Sequence, residues 1–409
     1  MKRILVIDGN YFAMRVLGQL NMKDSVNNLE SNIEKNNFTS ALNASLINLY
    51  TTFNNDSKHL IDNVIFCTDN KSWRKEIPAH RPYYIAEESD KLIEYKEQRK
   101  EVKEKSTINY DNFYFLYNNF VQSIKDKLVV FDIEGLEGDD EIMLLSNKLA
   151  GNKNVELLVF CTDGDLNQVV KDNCMLFRNI RSKDVPNGEF VISLKKYGQI
   201  FENKNANPFL SNNTDNLDYK KLFSIAIGNT NDNFKIERTL HKGINIATPF
   251  LVALEKSICG DKKDNIFSLM SWKSTTGTKD FKITEAHLEK ALKVHGYYLT
   301  EENCQKILSD KEALINLLLA LQSITKQKDI KIDLIGKHLK HNLRMIVLSR
   351  SNIPEKYLDA FDIHWLKNEE RILEGDVDFS KLKKFNVNMK DSAIEVFENS
   401  LPDMNEILK

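Results

Sequence analysis

Ile4-Leu5-Val6-Ile7-Asp8, Val64-Ile65-Phe66-Cys67-Thr68-Asp69 and Leu157-Leu158-Val159-Phe160-Cys161-Thr162-Asp163-Gly164-Asp165 decide the fold of this chain. Each is a short apolar run that stops at an aspartate, and two of them end in the same Phe-Cys-Thr-Asp. A brief run of this kind, rich in β-branched residues and bounded by polar ones, predicts a buried parallel strand. Ligands of open α/β sheets bind beyond the carboxyl ends of such strands. Three strands therefore deliver Asp8, Asp69, Asp163 and Asp165 to one sheet edge. Like charges that close cannot all stay ionised without a cation, and hard divalent ions are the natural partners.

Working outward, residues 1–180 alternate apolar runs with helical patterns, which predicts a βαβ series. Strands are expected at 63–68, 128–133 and 155–161, and helices at 38–50 and 138–150. Residues 87–127 read as one long, highly charged helical region. Residues 202–218 are Asn-rich and poor in hydrophobic residues, which predicts a loop. Helices follow at 249–259, 284–295, 302–323 and 333–349, and the last 60 residues carry only short helical patterns. The expected division is a catalytic α/β domain over 1–200, an insertion over 201–245, a helical region over 246–330 and a C-terminal helical extension over 331–409.

With 409 residues, 42% hydrophobic and 28% charged, the chain has ample core for a globular protein of more than one domain. No stretch is long and apolar enough to span a bilayer, so no membrane association is expected. The N-terminus begins basic but turns to Asp8 after a few apolar residues, which makes it a first strand and not a signal peptide. The five cysteines form no CxxC pair and fit a reducing cytoplasm. A net charge of −2 excludes a uniformly basic nucleic-acid binder, although a carboxylate cluster can mask a local basic patch. HExxH, GxSxG and P-loop patterns are absent from the sequence, which sets aside zincin, serine-hydrolase and P-loop chemistry.

Glu137-Gly138-Asp139-Asp140-Glu141 follows a strand and opens a helix. Acids suit a helix N-terminus, yet four in five residues exceed what capping needs and point to metal ligation. Asp163-Gly164-Asp165 fits either a turn after a strand or a ligand pair, and gains weight from its neighbours. In Gly260-Asp261-Lys262-Lys263-Asp264-Asn265 the two aspartates can face one way, or the segment is a capped, solvated turn. Lys96, Arg99, Lys100 and Lys103 share one face of the charged helix, which serves a solvated surface or a phosphate substrate. Trp73-Arg74-Lys75 places a second basic cluster just after Asp69, and two such clusters flanking carboxylates suit a polyanion.

In order and spacing these motifs resemble the flap-endonuclease family of 5′ nucleases, closest to the bacteriophage ribonuclease H type that removes RNA primers. The residues carrying the resemblance are Leu5-Val6-Ile7-Asp8-Gly9-Asn10, Asp69 with Trp73-Arg74, Tyr95-Lys96 with Arg99-Lys100, Glu137-Gly138-Asp139-Asp140, Thr162-Asp163-Gly164-Asp165 and the Gly260–Asn265 segment. The resemblance implies a PIN-like, mainly parallel α/β sheet with a helical arch over about 72–110. It also implies a helix–three-turn–helix region that grips duplex.

It further implies two Mg²⁺ ions, replaceable by Mn²⁺. Asp8, Asp69, Glu137 and Asp139 would serve the first, and Asp140, Asp163, Asp165, Asp261 and Asp264 the second. Lys96 and Arg99 would steady the scissile phosphate beside the catalytic Asp8, Asp163 and Asp165. Arg74, Lys75, Tyr95, Lys100, Lys103, Lys262, Lys263 and Lys273 would contact nucleic acid. The implied activity is metal-dependent hydrolysis of RNA primers, 5′ flaps and DNA 5′ ends in replication or repair, leaving 5′-phosphate and 3′-hydroxyl. The implied substrates are branched or nicked DNA and RNA–DNA hybrids. A monomer in the cytoplasm of an infected bacterium, alongside a single-strand-binding protein or sliding clamp, fits that role. Where the family has a glycine-rich turn after Asp264-Asn265, this chain has residues 267–279 with only Gly277, a departure from the usual duplex grip. A PIN-type ribonuclease and a non-catalytic branched-DNA-binding accessory are the competing readings.

Overall fold

The computed structural model describes residues 2–29, 32–55, 58–59, 61–79, 82–84, 94–178, 189–196, 239–241, 244–273, 280–327 and 330–375. Most of the expected insertion, the tip of the expected arch and the last residues of the chain therefore lie outside the described residues.

The expected α/β class and mainly parallel central sheet are what the structure shows. Strand β1 (Lys2–Asp8) is followed by helices α1 (Gly9–Gln19), α2 (Lys23–Asn27) and α3 (Asn32–Phe53) and a minor hairpin, β2 (Asn54–Asn55) and β3 (Lys58–His59). Strand β4 (Asn63–Cys67), helices α4 (Gln98–Glu104) and α5 (Tyr110–Ile124), strand β5 (Val129–Phe131), helix α6 (Gly138–Leu149) and strand β6 (Val155–Phe160) follow. Strands β7 (Cys174–Arg178), β8 (Glu189–Ile192), β9 (Thr239–His241) and β10 (Ile244–Ile246) complete the sheet, in the order β5-β4-β1-β6-β7-β8-β10-β9. Strands β5, β4, β1, β6 and β7 run parallel, and β8 is antiparallel to β7. The last residues expected of the insertion thus form part of the sheet.

β1 lies at the centre because its side chains alternate between two cores. Leu5 and Ile7 join Phe12, Phe66 and Phe120 on one face, whereas Ile4 and Val6 join Ile65, Val159 and Trp73 on the other. Its neighbours β4 and β6 bring Asp69 and Asp163 to the edge that Asp8 occupies.

Among its described residues, the long helical region expected over 87–127 carries two helices, α4 and α5. Asn109 caps α5 by accepting from the Asn112 amide, and Lys96, with a left-handed φ of 58°, precedes α4. A non-glycine residue in that conformation cannot continue a helix. Lys96 therefore does not share a helical face with Arg99, Lys100 and Lys103.

Beyond the sheet, α7 (Pro249–Cys259), a hairpin of β11 (Ser271–Lys273) and β12 (Asp280–Lys282), α8 (Glu285–Val294), α9 (Glu301–Ser309), α10 (Lys311–Thr325) and α11 (Ile332–Ile346) build a third core around Leu254, Leu288 and Leu321. The helix expected over 302–323 breaks at Asp310, whose carboxylate accepts from the Glu312 and Ala313 amides and starts a new helix. Among the described residues of the C-terminal region, a long helix α12 (Glu355–Leu373) follows α11. It buries Phe361, Trp365 and Ile372 against Phe131 of the sheet, so this part of the chain is integral to the sheet's second core.

Candidate metal centre

Five carboxylates converge where β1, β4 and β6 end. Asp8 caps α1, accepting from the Tyr11 amide at 3.0 Å. Asp69 follows β4, and its Oδ1 accepts from the Gly138 amide at the start of α6 at 2.7 Å, while Asn10 donates to its Oδ2. A helix N-terminus is a ready anion site, and here it aims a carboxylate at Glu137 and Asp139 in the first turn of α6. Asp163 completes the group, its Oδ1 accepting from the Asp165 amide at 2.9 Å. Asp8, Asp69, Glu137, Asp139 and Asp163 all line one cavity of about 440 Å³.

Their electrostatics show how poorly the protein alone neutralises them. Burial, then the charges of Asp69 and Asp163, pushes the Asp8 carboxyl up to about 7. Burial and the charges of Asp163 and Asp8 raise Asp139 well above the usual carboxylate range, and burial with the Glu137 charge raises Asp69. Glu137 is the exception. Burial would raise it, yet Lys96 and Arg74 hold it down at about 2. Lys96 Nζ sits 2.5 Å from Glu137 Oε1, and Arg74 Nη1 and the Tyr95 hydroxyl donate to Oε2 at 3.2 and 3.0 Å. A cage of hard oxygens with excess negative charge fits hard divalent cations such as Mg²⁺ or Mn²⁺.

A second group, Asp165, Asp261 and Asp264, places one oxygen of each residue within 4.8 Å of the others. Its loop is a tight turn. Gly260 has a φ of 83°, and Asp261 and Ile266 exchange backbone hydrogen bonds of 2.8 Å. A Cβ on Gly260 would meet the Ile266 carbonyl at 2.6 Å, so glycine is required on both counts. Lys256, in the last turn of α7, lies 2.7 Å from Asp165 and 2.6 Å from Asp261. Burial still lifts Asp165 to about 6, whereas against its own burial the bond from Lys256 holds Asp261 below the ordinary range.

Residues 94–99, within the expected arch, are tied to this turn. The Lys96 amide donates to the Asp264 carbonyl at 3.1 Å, Gln98 donates to the Lys262 and Lys263 carbonyls, and Asn265 donates to the Glu94 carbonyl. Arg99 Nη2 reaches Asp264 at 2.8 Å, and Lys96 stands 4.0 Å from the same carboxylate. Lys96 therefore bridges the two acidic groups.

The geometry does not fit the roles expected of three residues. Asp140 is fully buried, with Oδ2 and Oδ1 taken by Arg74 at 2.8 and 2.9 Å and Oδ2 also by Trp73 Nε1 at 3.1 Å. It has no face left for a metal and serves as the counter-ion of Arg74. Arg74 itself is 2% exposed and cannot touch nucleic acid. Tyr95 is likewise 9% exposed, its hydroxyl committed to Glu137.

Lys75, Lys100 and Lys103 line a cavity of about 570 Å³ beside Asp69 and Glu137, and Lys262 and Lys263 are exposed on the second group's turn. The Lys273 side chain lies outside the described residues. Lys256, Tyr110 and Tyr114 are site residues outside every motif, and Asn10 lies in one without having been given a role. Tyr114 and Tyr110 form a wall of the smaller cavity, with Lys103 Nζ 4.7 and 5.3 Å from their ring centres.

Residues 3–197 match the family described as 5′-3′ exonuclease, N-terminal resolvase-like domain. No curated protein matches the chain in sequence. Among solved structures, the chain is similar to a bacteriophage T5 protein co-crystallised with metal ions, at 15% identity over 91% of this chain and 100% of that one, with a TM-score of 0.47. A T5 5′-exonuclease with bound zinc gives the same figures. A T5 flap-endonuclease pseudo-enzyme–product complex with DNA and metal ions matches at 15% identity over 97% and 100%, with a TM-score of 0.42.

Proposed function

We propose, from the premise that residues 3–197 belong to the 5′-3′ exonuclease family, that the chain is a divalent-metal-dependent 5′ nuclease acting on branched or nicked DNA and on RNA primers. The observation that carries this reading is the group Asp8, Asp69, Glu137, Asp139 and Asp163 in one open cavity, with Lys96 bridging to a second acidic group. When bound, hard divalent cations would supply a water of lowered pKa and offset charge on the scissile phosphate and leaving oxygen.

The chain's own residues would do the rest. Asp8, Asp69, Glu137, Asp139 and Asp163 would hold the first cation, and Asp165, Asp261 and Asp264 the second. Lys96 and Arg99, both within the same cavity, would hold the phosphate. Each placed donor is worth a few kcal/mol of transition-state stabilisation. Lys75, Lys100 and Lys103 would track the strand's phosphates along the larger cavity. Tyr110, Tyr114 and the 63% exposed Val102 would meet the flat face of an unpaired base.

The test is cleavage of an end-labelled 5′ flap, nicked duplex and RNA–DNA hybrid with and without Mg²⁺. An Asp163→Asn, Asp165→Asn double variant is the control. Metal-dependent loss of 5′ nucleotides, absent in the variant, supports the nuclease. Binding without cleavage would move the function to a structural role on branched DNA.

A further inference from the structure

The end of α11 and the residues just after it bond to a support of each acidic group at consecutive backbone positions. Arg74, whose guanidinium grips Glu137 and Asp140, donates its Nε to the Met345 carbonyl at 3.0 Å. One residue on, Gln168 donates its Nε2 to the Ile346 carbonyl at 3.1 Å and accepts from the Leu348 amide at 3.1 Å. Gln168 belongs to the short 3₁₀ turn Asp165–Val169, whose first residue is a member of the second acidic group. The carbonyls of residues 345 and 346 therefore anchor one support from each group.

This stretch is itself held firmly. The Tyr357 ring lies over Gly135 (φ 89°), where a Cβ would sit 2.0 Å from it, and the Gly135 carbonyl accepts from the Trp73 amide at 2.7 Å. Lys356 and Tyr357 both donate to Glu76, at the end of the turn that carries Trp73 and Arg74. Asn63, in the central sheet, donates to the Arg371 carbonyl at 2.8 Å. Packing of α12 against the sheet thus fixes residues 345–348 from beyond them.

We propose that residues 345–348 form a strap that sets the spacing of the two acidic groups, and that Gln168 is the positioning residue through which it acts on the Asp165 side. Burial of charged groups that repel one another favours any relaxation that parts them. A strap bonded to the supports of both groups opposes that drift and keeps the oxygens within ligand distance. This rests on the reading of the two groups as divalent-ion sites.

The test uses the full chain with Gln168→Ala, which removes both strap bonds, and Gln168→Glu, which keeps only the acceptor for the Leu348 amide. Mn²⁺ binding is followed by the resonance of the free ion, beside steady-state cleavage of a 5′ flap and urea unfolding in chelator. The expected result for Gln168→Ala is one Mn²⁺ site weakened about tenfold, a fall in kcat that excess Mn²⁺ partly restores and an unchanged KM. Gln168→Glu should fall between this variant and the parent, and it carries the test alone if Gln168→Ala does not fold. An unchanged Mn²⁺ isotherm in the folded variants overturns the strap, whatever happens to kcat. A parent that binds no Mn²⁺ would instead overturn the reading of the acidic groups, and the strap with it.

Discussion

Lys256 Nζ lies 2.7 Å from the Asp165 carboxylate, ninety-one residues away in sequence, and 2.6 Å from Asp261. Lys256 thus pairs Asp165 and Asp261 from within and Arg99 pairs Asp264, whereas in the first group Lys96 and Arg74 both pair with Glu137. The consequence is an asymmetry in how tightly each group demands a cation.

Replacing Lys256 with Met tests that asymmetry. The metal-free protein should lose roughly 1–3 kcal/mol, because two partly buried carboxylates are left unpaired. Mn²⁺ should bind the second group several-fold more tightly, since a competing charge is gone. Urea unfolding in chelator and calorimetric titration of Mn²⁺ check the two halves, and loss of stability with weaker Mn²⁺ binding would contradict the account.

Lys96→Ala removes the cation shared by Glu137 and Asp264. The expected effect is a drop of about 10²-fold in kcat with little change in flap affinity, in line with loss of a preorganised donor. Single-turnover cleavage and a separate binding isotherm in chelator distinguish this from a binding defect, in which affinity would fall and kcat would hold.

Stability of the metal-free protein should bend with pH in two directions. Asp8 titrates near 7 when folded and near 3.8 when unfolded, so the unfolded chain loses its proton first. Its contribution therefore erodes stability as pH rises from about 4 to 7. Glu137, at about 2 when folded against 4.5, stabilises above 4.5 and loses that contribution as pH falls towards 2. Asp8→Asn should abolish cleavage, flatten the decline between pH 4 and 7, and raise metal-free stability at pH 7.5 by about 1–3 kcal/mol. Thermal melts across pH in chelator show whether the slope disappears.

If the Tyr114 ring meets a nucleobase, a substrate lacking that base should be cut more slowly by the parent, by roughly 5- to 100-fold for a stacking contact of 1–3 kcal/mol. Tyr114→Ala should erase the difference between the abasic and normal substrates, and Tyr114→Phe should keep it. Equal rates for both substrates with the parent would remove the tyrosine wall from the binding surface.

The carboxylates on the sheet edge were legible because strand periodicity is local. An apolar run that stops at Asp8, Asp69 or Asp163 announces both a buried strand and where its end must lie. The helix N-terminus at Glu137 was legible for the same reason, whereas Asp261 and Asp264 fitted a ligand pair and a solvated turn equally well. The long helical region expected over 87–127 is interrupted at Lys96 and Asn109. There, local caps and contacts with the 261–266 turn outweighed a continuous charge pattern.

The sequence by itself determined the four strands β1, β4, β5 and β6, the order of the acids and the hard-cation chemistry they favour, since these follow from spacing along the chain. Only the tertiary structure decided which charges neutralise which. It put Arg74 inside on Asp140 and took Asp140 out of the ligand set. It set Lys256 between Asp165 and Asp261, and laid residues 345–348 against the supports of both groups. Such pairings cost desolvation and are made only where packing brings distant segments together, so no local pattern encodes them.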